Sequence, residues 1–348
     1  MENFWAEISR HFLPQGQQAV LIYPAITWIP ETIKSAPITV LQHDFSDRSY
    51  SSISKLLQIV IKHRIGFLYL TDRNYYDWLY FLLRVFGVRC IINHDHSPGE
   101  RQSTILKTLA KKFIHRLGLF SCDHYVGVSN FVKQRAVTIS GVPERKYSFI
   151  HNGIRIFDYA PSNYAHRIFS IPKSAKIIVT TGRASFYKGI DFLINCADIL
   201  VNGEGFQEIC FLHIGTGPDL VEFERMVSER NLTAHFKFGG FRHDVPKILL
   251  SCDIGVQASI GEAFSLSILE YMCAGLATLA PNNCGNGEAI VDGISGLLFT
   301  PGDTDDLVDK IKALLLNEVL RKQLSSEARK RVVDKFSLED CNRDLMIL

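Results

Sequence analysis

Two carboxylates and two cations stand where phosphate chemistry would use them. The stretch Gly261-Glu262-Ala263-Phe264-Ser265-Leu266-Ser267-Ile268-Leu269-Glu270 follows an apolar run at 254–258 that reads as a strand, and it opens a run with helical spacing at 264–274. A helix N-terminus presents free N–H groups and the positive end of the dipole, so the amides of Phe264, Ser265 and Leu266 suit a diphosphate. Glu262 precedes that helix and faces the same space. Glu270 lies inside it, where its two oxygens suit adjacent hydroxyls of a sugar or a ribose. Among Leu266, Ile268, Leu269, Tyr271 and Met272 a carboxylate is otherwise an expensive burial. A second stretch, Gly182-Arg183-Ala184-Ser185-Phe186-Tyr187-Lys188-Gly189, leaves a predicted strand at 176–181. Arg183 and Lys188 there would converge on one phosphate and neutralise the charge that develops on a departing diphosphate. Taken alone this is weak, because loop cations are mostly solvated surface.

A third group is Asn93-His94-Asp95-His96-Ser97-Pro98-Gly99-Glu100-Arg101, after a predicted strand at 90–93. His94 and His96 alternate, so they point the same way on leaving a strand, but no third ligand is in view and no metal is expected. Asp303-Thr304-Asp305 stands before Leu307 and Val308 and reads as a helix N-cap.

These residues need a scaffold, and the chain supplies two. In the second half, predicted strands at 176–181, 209–214, 235–238, 254–258, 277–280 and 296–299 alternate with helices at 190–200, 220–230, 246–251, 264–274 and 305–315. Such alternation builds a doubly wound parallel sheet, which binds ligands at its strand C-terminal ends. The first half predicts strands at 19–23, 38–41, 65–70, 90–93, 124–128 and 147–150 and helices at 51–62, 78–86, 105–117 and 130–139, a second α/β unit. The turn His151-Asn152-Gly153 and the polar stretch 158–174 mark the boundary. The expected domains are 1–155 on the acceptor side and 156–330 for the nucleotide sugar, with a helix in 331–348 packing back on the first. An amphipathic start carrying Phe4, Trp5, Ile8 and Phe12 is expected to dock on the protein rather than on a bilayer.

Residues 1–150 hold 18 Lys and Arg against 11 Asp and Glu, whereas the remainder holds 20 against 25. A basic first half points to an anionic partner, such as a lipid phosphate or a bilayer surface, or simply to a solvated basic face. Nucleic acid is not expected, since the nearby aromatics have core-like spacing. Eight cysteines scattered singly read as reduced thiols, no run is long enough to span a membrane, and the start does not read as a secretory signal. The expected location is the cytoplasm, with peripheral contact at the inner face of the membrane.

Arg-x4-Lys-Gly followed by Glu-x7-Glu resembles the retaining glycosyltransferases of family 4, which have the GT-B fold: two Rossmann-like doubly wound α/β domains facing each other across a cleft. The resemblance extends over 120–335. Ser129-Asn130 is similar to the family's strand end, Asn152-Gly153 to its interdomain Asn-Gly, and Gly215-Thr216-Gly217-Pro218 to its Gly-x-Gly-Pro turn. Gly285 to Glu288 and Gly296 resemble the glycine and Glu that follow the helix, and Pro301-Gly302-Asp303 the closing turn. The resemblance implies that Arg183 and Lys188 bind the diphosphate, Glu262 the donor sugar and Glu270 the ribose. It implies a donor site extending to Gly215, Gly217, Phe241 and the 263–266 turn (Ala263, Phe264, Ser265, Leu266). His96 aligns with a His facing the donor sugar, with His94 as the rival, and His94, Asp95 and Arg101 fall on the acceptor side. Where the family carries a glycine-rich loop after its first strand, this chain has Pro24-Ala25-Ile26-Thr27-Trp28.

The expectation is therefore transfer of a sugar from a UDP- or GDP-linked donor to the hydroxyl of a carbohydrate or lipid-linked acceptor, with no cofactor beyond the donor and no metal. Two alternatives keep the same residues: a non-catalytic nucleotide-sugar-binding partner of another transferase, and a nucleotide-sugar epimerase of similar architecture.

Overall fold

The computed structural model describes residues 2–98, 103–158 and 160–347. The first half builds β1 (Ala19–Tyr23), β2 (Ile38–Gln42), β3 (Phe67–Thr71), β4 (Cys90–Asp95), β5 (His124–Gly127) and β6 (Tyr147–Phe149). β1 and β2 pair in parallel, and β3-β4-β5-β6 form a second parallel sheet in that order. Helices such as Tyr50–Lys62, Trp78–Val85 and Asn130–Thr138 make the crossovers. Their starts are fixed chemically: Ser49, Asp77 and Ser129 each accept from a first-turn amide through the side chain.

The second half builds β7 (Lys176–Thr181), β8 (Ile209–Ile214), β9 (Phe236–Phe238), β10 (Ile254–Val256), β11 (Ala277–Pro281) and β12 (Leu297–Phe299). All run parallel, in the order β12-β11-β10-β7-β8-β9. β7, β8 and β11 are almost wholly buried, as the continuous apolar runs of a sheet covered on both faces require. The order reverses between β7 and β10. Crossovers from these two neighbours leave in opposite directions and open a crevice at their C-terminal ends.

The halves are joined tightly. Ile154 donates to Phe336 O at 3.0 Å, and Leu338 donates to Ile154 O at 2.8 Å, so the two strands of chain that pass between the lobes lie side by side. A Cβ on Gly153 would sit 2.7 Å from Ser337 O, so glycine is needed for that approach. One hydrophobic cluster runs from Leu79, Tyr125 and Val132 through Ile154 and Phe336 into Phe264, Ile268 and Met272, crossing the boundary without a break. Glu288, from the second half, caps the Asn130–Thr138 helix of the first: its carboxylate accepts from the Asn130 and Phe131 amides at 2.9 and 2.7 Å and meets His151 Nε2 at 3.0 Å.

Chain ends follow the same logic. The Glu2–Phe12 helix docks on the first half, with Ala6 and Ser9 buried and Trp5 edge-on to Tyr69 at 5.0 Å. The Leu338–Ile347 helix meets it, Asn342 donating to Glu7. Before it runs an 18-residue helix, Glu318–Lys335, that periodicity did not reveal. Its inward positions are Arg321, Leu324, Ala328 and Val332, a stripe too thin and too charged to read as amphipathic. Asp303 caps the Thr304–Leu316 helix, accepting from the Asp306 amide at 3.0 Å, as its sequence context predicts.

Candidate active site

The loops after β7 and β10 leave neighbouring strands at the point of reversal, so residues far apart in the chain become adjacent. Lys188 Nζ lies 2.5 Å from Glu262 Oε1, and both side chains are largely shielded. Tyr187 donates to Gly261 O at 2.6 Å, and the Ile260 amide donates to Tyr187 O at 3.0 Å, tying the two loops along their length. Gly189, at φ +69°, is compressed against Ala258: a Cβ there would stand 2.2 Å from its carbonyl oxygen. Arg183 is exposed at the mouth of the same loop.

The helix after β10 begins at Leu266, two residues later than the spacing predicts, because Ser265 takes the N-cap position in an extended conformation. Its hydroxyl accepts from Gln257 Nε2 at 2.9 Å and not from the helix. Consequently the amides of the N-cap Ser265 and of Leu266, Ser267 and Ile268 are the ones left for an anion, and of the expected trio Ser265 and Leu266 belong to the helix head. The Phe264 side chain is buried against His151 and Phe336 at ring separations of 4.6 and 5.5 Å, so only its backbone can face the crevice. Ala263 is buried too, held by Gly285, whose missing Cβ would fall 1.7 Å from Ala263 O.

Glu270 sits one face of the helix further in. Its carboxylate accepts no hydrogen bond among the described residues, and burial pushes its pKa up to about 7. A half-buried acid without partners invites hydroxyl donors. Nearby, Gly215 and Gly217 hold the turn after β8 against the β7 loop, where a Cβ would meet Gly182 O at 1.8 Å and Ala184 O at 2.2 Å. These two glycines shape the floor by close backbone approach. Phe241, after β9, is exposed, with its ring 4.9 Å from His243.

On the facing lobe, His94 and His96 leave β4 with rings 4.1 Å apart. His94 is deeply buried, its Nδ1 2.6 Å from Tyr69 Oη, and desolvation together with the adjacent His96 lowers its pKa well below the usual value. His96 follows the strand with its amide bonded to Asp72 Oδ1 at 2.6 Å. Asp95 does not serve an acceptor. It is buried, Oδ1 takes the Ser97 amide at 2.8 Å, and Oδ2 takes Arg135 Nη2 at 3.0 Å and the Tyr75 hydroxyl. Burial pushes its pKa up, but the Ser97 and Tyr75 bonds and the Arg135 charge outweigh that and hold it low. Arg101 lies outside the described residues. Five residues outside the expected site complete the arrangement: Gln257, which also approaches Glu262, then Asp72, Tyr187, Glu288 and His151. Only Glu288 had a signal in the sequence, its place after the glycine pair.

A cavity of about 330 Å³ opens beside Asp72 and Arg73 of the first half. Another, of about 630 Å³, is lined by Tyr164, Arg167, Lys173 and Lys247 and holds none of the residues discussed above. No group of His, Cys, Asp and Glu able to hold a metal occurs among the described residues.

Two parallel α/β lobes, joined at one edge and placing cations and a helix head at a topological switch point, define a GT-B nucleotide-sugar enzyme. Residues 1–156 match Glycosyltransferase Family 4, and residues 163–331 match Glycosyl transferases group 1. The chain belongs to the family 4 glycosyltransferases. It is similar to an uncharacterized glycosyltransferase of Methanocaldococcus jannaschii, 34% identical over 255 residues that cover 72% of this chain and 66% of that protein. It is also similar to an Escherichia coli UDP-Gal:alpha-D-GlcNAc-diphosphoundecaprenol alpha-1,3-galactosyltransferase, 22% identical over 262 residues, 73% of this chain and 67% of that one. Among solved structures, a Rickettsia africae glycosyltransferase superposes with a TM-score of 0.83 at 20% identity, covering 99% of this chain and 93% of that one. Anabaena HepE in complex with UDP superposes at 0.79 and 18% identity, covering 99% and 94%.

Proposed function

We propose that this enzyme transfers a sugar, with retention at the anomeric carbon, from a UDP-linked donor to a hydroxyl of a lipid-linked or polysaccharide acceptor at the membrane surface. The observation that carries the reading is the 2.5 Å approach of Lys188 to Glu262 at the head of the Leu266–Cys273 helix. Cation, carboxylate and open amides thus meet at one point of the switch crevice. In this reading Lys188 and Arg183 take the pyrophosphate oxygens with the Leu266–Ile268 amides, and stabilise the charge as the bond to the sugar breaks. Lys188 turning to phosphate releases Glu262 to accept from the donor sugar's hydroxyls. Glu270 accepts from the ribose. His96, on the other lobe, positions the sugar, and lobe closure excludes the water that would otherwise hydrolyse the donor. The names of similar proteins favour uridine as the base and a diphosphate lipid as the acceptor class. A basic first half fits anionic acceptors and an anionic bilayer.

The test is incubation with UDP-glucose, UDP-galactose, UDP-N-acetylglucosamine and GDP-mannose, with a lipid diphosphate sugar as acceptor. A transferred sugar whose anomeric configuration matches the donor's, abolished in Lys188→Ala, is expected. Turnover to an inverted product, an epimerised donor, or no turnover with any donor would refute the proposal.

A further inference from the structure

The Ile105–Leu117 helix is built the wrong way round for a packed crossover. Of its thirteen residues only His115 is buried. Ile105 and Leu106 are 81% and 80% exposed, Leu109 56%, Phe113 62% and Leu117 51%. At 100° per residue these side chains and Ala110 fill a single arc of roughly 140° on the solvent side. Lys107 flanks that arc on one side and Lys112 on the other, with Arg116 just inside the second edge. The inward edge is polar instead, with Thr108 and Lys111 bonded to Ile139 O and the His115 ring against Tyr125. No acidic residue occurs between Glu100 and Asp123.

The surface does not stop at the helix. Phe81 lies 5.7 Å from Phe120, and the Asp77 amide donates to Phe120 O, so the Trp78–Val85 helix adjoins the turn that ends the first one. Trp78, Phe81, Val85 and Phe86 are exposed there, and so is Leu119, next to Phe120 in the chain. An apolar area of this breadth is unusual on a soluble surface and marks an interaction site.

The geometry points to an anionic lipid bilayer as the partner, with both helices lying in the plane of the interface. A protein partner would be met by shape and mixed charge. A flat apolar strip edged on both sides by cations, with no acid among them, fits apolar chains beneath phosphate headgroups. The Ile105–Leu117 helix is the element that follows β4 in the chain, so its Ile105 end belongs to the C-terminal edge of that sheet, the edge on which the crevice opens. The bilayer would therefore lie beside the mouth of the crevice, where the acceptor proposed above would arrive. This inference extends that reading and is separable from it by experiment.

The test is flotation of the full chain with vesicles of phosphatidylcholine alone or enriched in phosphatidylglycerol, at low and high salt, for wild type and for Leu109→Ser combined with Phe113→Ser. UDP binding is followed in parallel by calorimetry, and mass in solution by light scattering. Wild type is expected to float with the anionic vesicles and to come off in salt, the double variant to lose about tenfold or more in vesicle affinity, and both to bind UDP equally. Equal flotation of the two proteins, or no flotation of wild type, would overturn the assignment. So would a wild-type dimer that the substitutions convert to monomer, because the strip would then be covered by a second copy. Failure of UDP binding in wild type with flotation intact would refute the donor reading and leave this one standing.

Discussion

Replacing Glu270 by Gln separates what this carboxylate costs the fold from what it gives the ligand. Burial raises its pKa from an ordinary 4.5 to about 7. The folded protein therefore keeps a proton that the unfolded chain releases, and stability is lost as pH climbs from 4.5 through 7. At about 1.36 kcal/mol per pH unit, the carboxylate costs up to roughly 3 kcal/mol above pH 7. Gln is nearly isosteric and does not titrate, so the variant should be more stable than wild type at pH 8 by up to that amount. At pH 4, where Glu270 is neutral, the two should match. UDP should show the opposite ranking. Ribose hydroxyls donating to a carboxylate make charge-assisted bonds worth about 1.5–3 kcal/mol, so Glu270→Gln should weaken UDP binding roughly 10- to 100-fold at pH 8. Wild-type affinity should rise more steeply from pH 6 to pH 8 than the variant's, which follows only the titration of UDP's own terminal phosphate. Urea denaturation at the two pH values and calorimetric titration of UDP read both effects. Identical stability and identical UDP affinity at pH 8 would refute both the burial argument and the ribose assignment.

Three further substitutions test the frame around the site. Arg135→Met leaves Asp95 buried beside Tyr75 with its cation gone and should cost about 3–5 kcal/mol in urea denaturation; a loss below about 1 kcal/mol would mean the ion pair contributes little. For Glu288, desolvation pushes the pKa up, but the His151 bond and the Phe131 and Asn130 amides prevail and hold it below its ordinary 4.5. Its stabilisation is therefore present above that value and lost as pH falls through the lower folded value. Glu288→Gln should cost about 1–3 kcal/mol at neutral pH and converge with wild type in acid, by denaturation at both pH values. Gly285→Ala sets a methyl against the Ala263 carbonyl and should displace the 262–265 turn, lowering thermal stability by about 1–3 kcal/mol and weakening UDP binding. Unchanged melting and binding would show that the turn tolerates the methyl.

The α/β alternation of both halves was legible because buried parallel strands such as 176–181 and 209–214 are unbroken apolar runs, and Ser, Asp and Asn caps punctuate the helices between them. The pairing of Lys188 with Glu262 was legible only through the resemblance, since nothing local says that β7 and β10 are neighbours. Long-range order hid the rest. Phe264 reads as one residue of a phosphate turn, but its ring is claimed by His151 and Phe336 from distant parts of the chain. Asp95 reads as a free acid beside two histidines until Arg135, a helix and a strand away in the chain, arrives to neutralise it. The helix at 318–335 went unseen because an arginine occupies one of its few inward positions.

The doubled passage of the chain at Ile154 and Phe336 restricts how the enzyme can move. Two lobes fastened along one shared line have a single easy rotation, like a book bound at its spine, and sliding or twisting would tear the hydrogen bonds that pin Ile154. Because Phe264 is packed into that spine against Phe336, the head of the Leu266–Cys273 helix lies close to the axis and would shift little on opening. On the donor reading proposed above, opening would admit and release substrates without disturbing the helix head that holds the nucleotide, and the distance between His96 and Glu262 would be the coordinate that reports closure.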